Sequence, residues 1–182
     1  HFITGILDSE GKKSSLFDGV TAVDKMLSTL SPYLANTDSV AVYHTDGKNG
    51  NKLPADFCLH TTGSYVVSVM RDRTDGQEYL VVVNKSFRKD AIADFTVTGN
   101  SLDLSAVADI TSGTPAALKK TGNSFSLSLK AGGLAVLRLP QGYSILPAAG
   151  QKDGENLLEG CGASVSSSAG DGRYAYMLND GD

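Results

Sequence analysis

The hydrophobic period of this chain changes at Asp38, and that change constrains the fold more than any other feature. Before it, Leu16, Val20, Val23, Leu27, Leu30 and Leu34 recur at steps of four and three. That spacing puts them on one stripe of an α-helix. Ser14 or Ser15 is placed to cap the helix, with Asp18 in its first turn. Pro32 lies inside the pattern, so the main helix is expected to stop near Leu30, with Ser31-Pro32 starting a short extra turn. Ahead of the helix, His1 to Leu7 reads as a short strand and Asp8 to Lys13 as a polar turn.

After Asp38 the period is two. Val40–His44 and Phe57–His60 read as short strands. Tyr65–Arg71 and Gln77–Asn84 form the clearest hairpin, joined around Asp75-Gly76. Its arms carry nearly continuous apolar residues, as central strands covered on both faces do. Phe95–Thr98 and Val107–Thr111 follow. Phe125, Leu127 and Leu129 alternate strictly with Ser124, Ser126 and Ser128, which gives one buried and one wet face. Gly132-Gly133 turns the chain into Leu134–Leu139, and Pro140 ends it. Roughly seven or eight short strands with regular turn signals predict an antiparallel β-sandwich. From Gly142 to Gly172 the periodicity is lost, and the first part of that stretch reads as a linker.

The chain has 182 residues, 41% of them hydrophobic and 20% charged, enough apolar content to bury a core. The net charge of −4 and isolated Lys/Arg pairs argue against a nucleic-acid partner. No apolar run reaches the ~20 residues of a membrane span. The chain begins at His1 and ends at Asp182 in a turn-like sequence, so it is expected to be an excerpt of a longer protein.

Few residues offer chemistry. The four Glu are Glu10 and Glu78 beside turns, and Glu155 and Glu159 in the linker. None is expected to be buried, so no catalytic carboxylate pair is assigned. Asp72 and Asp75 read as turn residues, and Asp72–Gly76 lacks the ligands of a calcium loop. Cys58 reads as a small core residue, with pairing to Cys161 a minority alternative. His44 and His60 could meet across a sheet, but structural histidines are the favoured reading, and no metal site or cofactor is assigned. Trp is absent, so no flat aromatic platform for sugar is read, and carbohydrate-binding residues are left unassigned.

The stretch Gly5-Ile6-Leu7-Asp8-Ser9-Glu10-Gly11-Lys12-Lys13, leading to Phe17-Asp18, resembles the last strand, turn and last helix of a (β/α)8 glycoside hydrolase. Lys13 stands where Pro is common in that family. Ser31-Pro32-Tyr33-Leu34 and Val40–Thr45 resemble the exit from such a barrel in β-galactosidase-like enzymes. Glu78–Lys85 and Gly132–Leu139 are similar to the C-terminal β-sandwich that follows the barrel. Glu155–Leu158, Ala163–Ser168 and Met177–Asp182 resemble the opening of a discoidin-type (coagulation-factor type C) domain.

The resemblance implies three parts: residues 1–37 as a strand-turn-helix remnant of a barrel, 38–141 as the β-sandwich, and 142–182 as linker and discoidin-like start. It places the catalytic glutamates on barrel strands upstream, so none is carried onto this chain. The fold class expected is mainly β, an antiparallel sandwich preceded by an amphipathic α-helix. The function expected is a non-catalytic accessory region of a multidomain carbohydrate-active enzyme, packed on the catalytic barrel of the same polypeptide. The alternatives are a carbohydrate-binding module and a cell-surface adhesion or interaction module. A bacterial extracellular or cell-surface location follows from the resemblance alone. The helix stripe is expected to pack on the sandwich or a partner, and Val81→Asp or Val83→Asp to unfold the domain.

Overall fold

The computed structural model describes residues 5–48, 50–98 and 102–146. The chain divides into two compact units, His1–Ile145 and Leu146–Asp182. Every element below belongs to the first unit. The serine-rich stretch, Cys161 and the discoidin-like segments lie outside the described residues.

The first described residues fold back on themselves. Leu7 bridges Lys13, and the Asp8 carboxylate accepts the N–H groups of Glu10 (2.9 Å) and Lys12 (2.8 Å). A single helix follows, α1 (Phe17–Leu34), with Asp18 in its first turn. Neither serine caps it by side chain. Leu16 is the N-cap residue, and Ser14 Oγ accepts the Leu16 N–H just ahead of it, at 3.2 Å.

The helix does not stop at Leu30. It carries Pro32 in its last turn and continues to Leu34. Proline removes one N–H from the ladder and crowds the preceding turn. Here Tyr33 and Leu34 pack against the same buried cluster as Leu30, and that burial offsets the loss.

Ten strands follow among the described residues: β1 (Thr37–His44), β2 (Leu59–His60), β3 (Tyr65–Asp72), β4 (Glu78–Asn84), β5 (Ala91–Val97), β6 (Ala108–Asp109), β7 (Ala116–Ala117), β8 (Lys120–Thr121), β9 (Ser124–Leu129) and β10 (Leu134–Arg138). They form two antiparallel sheets. The larger has the order β1-β3-β4-β10-β6-β7 and the smaller β2-β5-β9-β8. The mainly β fold with one preceding helix is the class read from the sequence. Strands β7 and β8 were not expected, being two residues each and too short to show a period.

The expected hairpin is β3–β4, with Val66 opposite Val83, Val67 opposite Val82 and Val69 opposite Leu80. It lies inside the larger sheet, flanked by β1 and β10. Val67, Val69, Leu80, Val82, Ala135 and Leu137 are buried on its inner face. The smaller sheet answers with Ala93, Phe95, Val97, Phe125, Leu127 and Leu129. Phe95 stacks on Phe125 at 5.2 Å between ring centroids, and Tyr65 approaches Phe95 at 6.2 Å.

Val81 and Val83 are on the other face and only half-buried. Part of that face is covered by the C-terminal half of α1. Leu30 joins Tyr79, Ile110 and Val136 in one cluster, with Met26, Tyr33, Leu34, Met70 and Val81 against it. Tyr33 donates its hydroxyl to the Gly113 carbonyl at 3.0 Å and meets Tyr79 edge-on. Gly113 has a φ of +82°, and a Cβ there would press on Thr29 of the helix, so glycine permits this close approach.

Candidate functional site

The helix stripe divides into a covered and an uncovered part. Leu30 is 3% exposed, whereas Leu16 is 50%, Val20 41%, Val23 51% and Leu27 57% exposed. All five lie on one side of α1 by their spacing. Only the C-terminal end of that side finds the sheet, so of the two expected covers, sandwich or partner, the sandwich does not take the whole stripe. Val42 of β1, opposite Ser68, is 39% exposed on the outer face of the larger sheet.

Glu78 is not the solvated turn residue expected from the sequence. It is 1% exposed at the start of β4. Its Oε1 accepts Arg71 Nε (3.1 Å), Arg71 Nη2 (2.8 Å) and Ser144 Oγ (3.1 Å), and its Oε2 accepts the Ile145 N–H at 2.8 Å. A buried carboxylate needs such partners to offset its lost hydration. The contacts join the hairpin to Ser144 and Ile145, which lie beyond β10. Gln77 extends the clasp by donating to the Glu78 and Leu139 carbonyls, both at 2.9 Å. Three of these contacts, to Leu139, Ser144 and Ile145, span more than sixty residues of sequence, and no local pattern announces them.

A second polar centre sits where β1, β3 and β4 end. Lys85 Nζ reaches Asp46 Oδ1 at 2.8 Å and Oδ2 at 3.0 Å, and Ser64 Oγ donates to Asp46 Oδ2 at 2.6 Å. The Lys85 ammonium, then Ser64 and the Lys48 N–H, hold the Asp46 carboxyl well below the usual carboxylate range. This centre borders a hollow of about 450 Å³ that also meets Lys89 and Asp90.

The remaining sequence candidates take structural places. His44 ends β1 in the larger sheet and His60 ends β2 in the smaller, so they do not share a sheet. The buried His44 Nδ1 has no hydrogen-bond partner among the described residues. No group of three His, Cys, Asp or Glu that could hold a metal occurs among the described residues. Cys58 is half-buried with its Sγ 3.6 Å from the Tyr143 hydroxyl, and burial pushes its thiol pKa up. Asp72 accepts the Thr74 N–H (2.7 Å) and Asp75 the Gln77 N–H (2.9 Å), while Gly76 takes φ +71°. These are the turn roles expected of them.

The outer face of the smaller sheet carries a groove. Ile92, Asp94, Thr96, Ser124, Ser126 and Ser128 point away from the core, by alternation with their buried neighbours. Ser126 Oγ donates to Asp94 Oδ1, and Thr96 and Ser124 hydroxyls lie 3.2 Å apart.

No protein-family model and no curated protein sequence matches the chain. Among solved structures it is similar to a crystal structure of a candidate alpha-galactosidase/melibiase from Bacteroides fragilis NCTC 9343, with 22% sequence identity and a TM-score of 0.33. The match covers 48% of this chain and spans 16% of that protein's length.

Proposed function

We propose that this chain is a non-catalytic accessory β-sandwich region of a multidomain carbohydrate-active enzyme, and that it packs on a (β/α)8 barrel of the same polypeptide through the uncovered half of α1. The observation that carries this reading is the stripe itself. Leu30 is buried on the sheet, while Leu16, Val20, Val23 and Leu27 continue the same side into solvent. Each is worth roughly 1.5–3 kcal/mol when fully buried, so a cover for four of them is a substantial driving force. The occupant is chosen by the resemblance of Gly5–Asp18 to the last strand, turn and helix of a glycoside-hydrolase barrel. A last barrel helix would belong to both bodies, with one end on the sandwich and the other against its neighbours in the barrel.

The non-catalytic part of the reading is supported by Glu78. Its carboxylate is enclosed by Arg71, Ser144 and Ile145, so it is engaged in holding the fold. A bacterial extracellular or cell-surface location goes with the same resemblance.

The experiment is to extend the polypeptide upstream of His1. The reading requires a barrel there, and hydroxyl-radical footprinting should find Val20, Val23 and Leu27 protected in the extended protein relative to this chain. An upstream segment without a barrel, or a stripe labelled equally in both, would sink the proposal.

A further inference from the structure

Three neighbouring hollows share lining residues. The hollow beside Asp46 and Lys85 shares Asp90 and Ala91 with a second of about 280 Å³. The second shares Ile92 and Ser128 with a third of about 730 Å³, which crosses the outer face of β5 and β9 to Lys119 and Lys120. Together they line a track from the strand ends of the larger sheet beside Asp46 and Lys85 to the outer face of the smaller sheet.

The track is lined in a particular way. Lys85 is paired with Asp46 and Lys130 with Asp90. Lys48, Lys89, Lys119 and Lys120 have no described carboxylate within salt-bridge distance, although Asp103 is near enough to Lys120 to feel its charge. The track is thus locally positive on a chain of net charge −4. Its middle holds a row of hydroxyls beside the Asp94 carboxylate. Ile92, 66% exposed, stands beside that row as an apolar face.

We propose that this track binds an acidic oligosaccharide, a sugar chain bearing carboxylates. The unpaired ammonium groups match the carboxylates, the hydroxyl row and Asp94 exchange hydrogen bonds with sugar hydroxyls, and Ile92 covers a C–H face of a ring. Single-stranded nucleic acid fits less well, because it needs exposed aromatic platforms for its bases. The aromatic residues that line the track, Tyr65, Phe95 and Phe125, are turned into the core at 5%, 1% and 3% exposure, and the well-exposed ring next to it, Phe87, is a single ring and not a row on which successive bases could stack. The choice of sugar among anionic chains rests on the proposed function. The residues that line the track and the exposed residues of the α1 stripe do not overlap, so each reading can fail alone.

The test is calorimetric titration of the 182-residue chain with oligogalacturonate, with a neutral galacto-oligosaccharide of equal length, and with oligo(dT). Oligogalacturonate should bind, and the neutral chain and oligo(dT) at least tenfold more weakly. The double variant Lys119→Ser/Lys120→Ser, and separately Ile92→Asp, should each weaken oligogalacturonate at least tenfold with an unchanged melting temperature, since all three side chains are on the surface. No binding at millimolar oligogalacturonate, equal binding by both variants, or tighter binding of oligo(dT) would overturn the proposal. Oligogalacturonate binding as described, beside an upstream segment with no barrel, would fault the proposed function and leave this site standing.

Discussion

Arg71 and Glu78 stand opposite each other at the turn end of the β3–β4 hairpin, and the half-exposed guanidinium closes over a carboxylate that is almost wholly buried. The pair joins the ends of two central strands. Through Ser144 and Ile145 it also fixes the segment that follows the last strand. Removing one partner of a buried ion pair leaves the other unpaired, at a cost of about 3–5 kcal/mol. Glu78→Ala should therefore lose stability in that range by urea unfolding. Glu78→Gln keeps an acceptor for Ile145 and should lose less. Equal stability of Glu78→Ala and the parent chain would remove this pair from the account of the fold.

The two faces of β4 should respond differently to charge. Val82 is fully buried between the sheets, and Val83 is half-buried on the outer face. Val82→Asp should unfold the chain, because a carboxylate there has neither water nor partner. Val83→Asp should give a folded protein with a lowered melting temperature. This corrects the expectation from sequence, in which both faces of the hairpin were equally covered. Nearly unbroken apolar residues revealed a central position. They did not reveal that α1 reaches only part of the outer face.

The same contrast holds elsewhere. The hairpin was legible because Asp75-Gly76 and the flanking valines act within a few residues of each other. The alternation of Phe125, Leu127 and Leu129 with serines gave the inner and outer faces of β9 directly. The burial of Glu78 was not legible, since its environment is made by residues from beyond β10. The end of α1 was misread for a similar reason: Pro32 is a local signal, and docking of Tyr33 and Leu34 on the sheet is not. The groove was visible only in part, as a serine row, because its other wall comes from Lys119, Lys120 and the start of β5.

Asp46 makes the acid limb of stability testable. Its folded pKa is depressed, first by the Lys85 hydrogen bond, so the pairing adds stability above the ordinary Asp range near ~4 and loses it as pH falls below that range. Asp38, held down by Arg73, and Asp90, held down by Lys130, act in the same direction. Unfolding free energy should fall on acidification below about pH 4, and Asp46→Asn should flatten that fall. A parallel pH profile for the variant and the parent would show that the Asp46 centre adds nothing.

Gly113 controls how closely α1 approaches the larger sheet. Its positive φ and its contact with Thr29 mean that Gly113→Ala meets both backbone strain and a steric clash. The variant should be destabilised by more than ~1 kcal/mol. Tyr33→Phe, which removes only the hydrogen bond to the Gly113 carbonyl, should cost about 1 kcal/mol. If Gly113→Ala melts with the parent chain, the helix is not held at that point.

The stripe of α1 predicts opposite outcomes along a single helix. Leu30 is enclosed by Tyr79, Ile110 and Val136, so Leu30→Ala opens a cavity and should cost about 2–5 kcal/mol. Leu27 and Val23 precede it on the same side and are more than half exposed. Val23→Glu/Leu27→Glu should then change the unfolding free energy by no more than about 0.5 kcal/mol, as surface substitutions do. The double variant should also reduce any concentration-dependent association seen by sedimentation, because an apolar strip of this kind is sticky in water. In the upstream-extended protein the same two changes should become destabilising, since they would place carboxylates against the barrel. Strong destabilisation of the 182-residue chain itself would mean that the N-terminal half of α1 is already packed here, and the stripe would no longer call for a barrel.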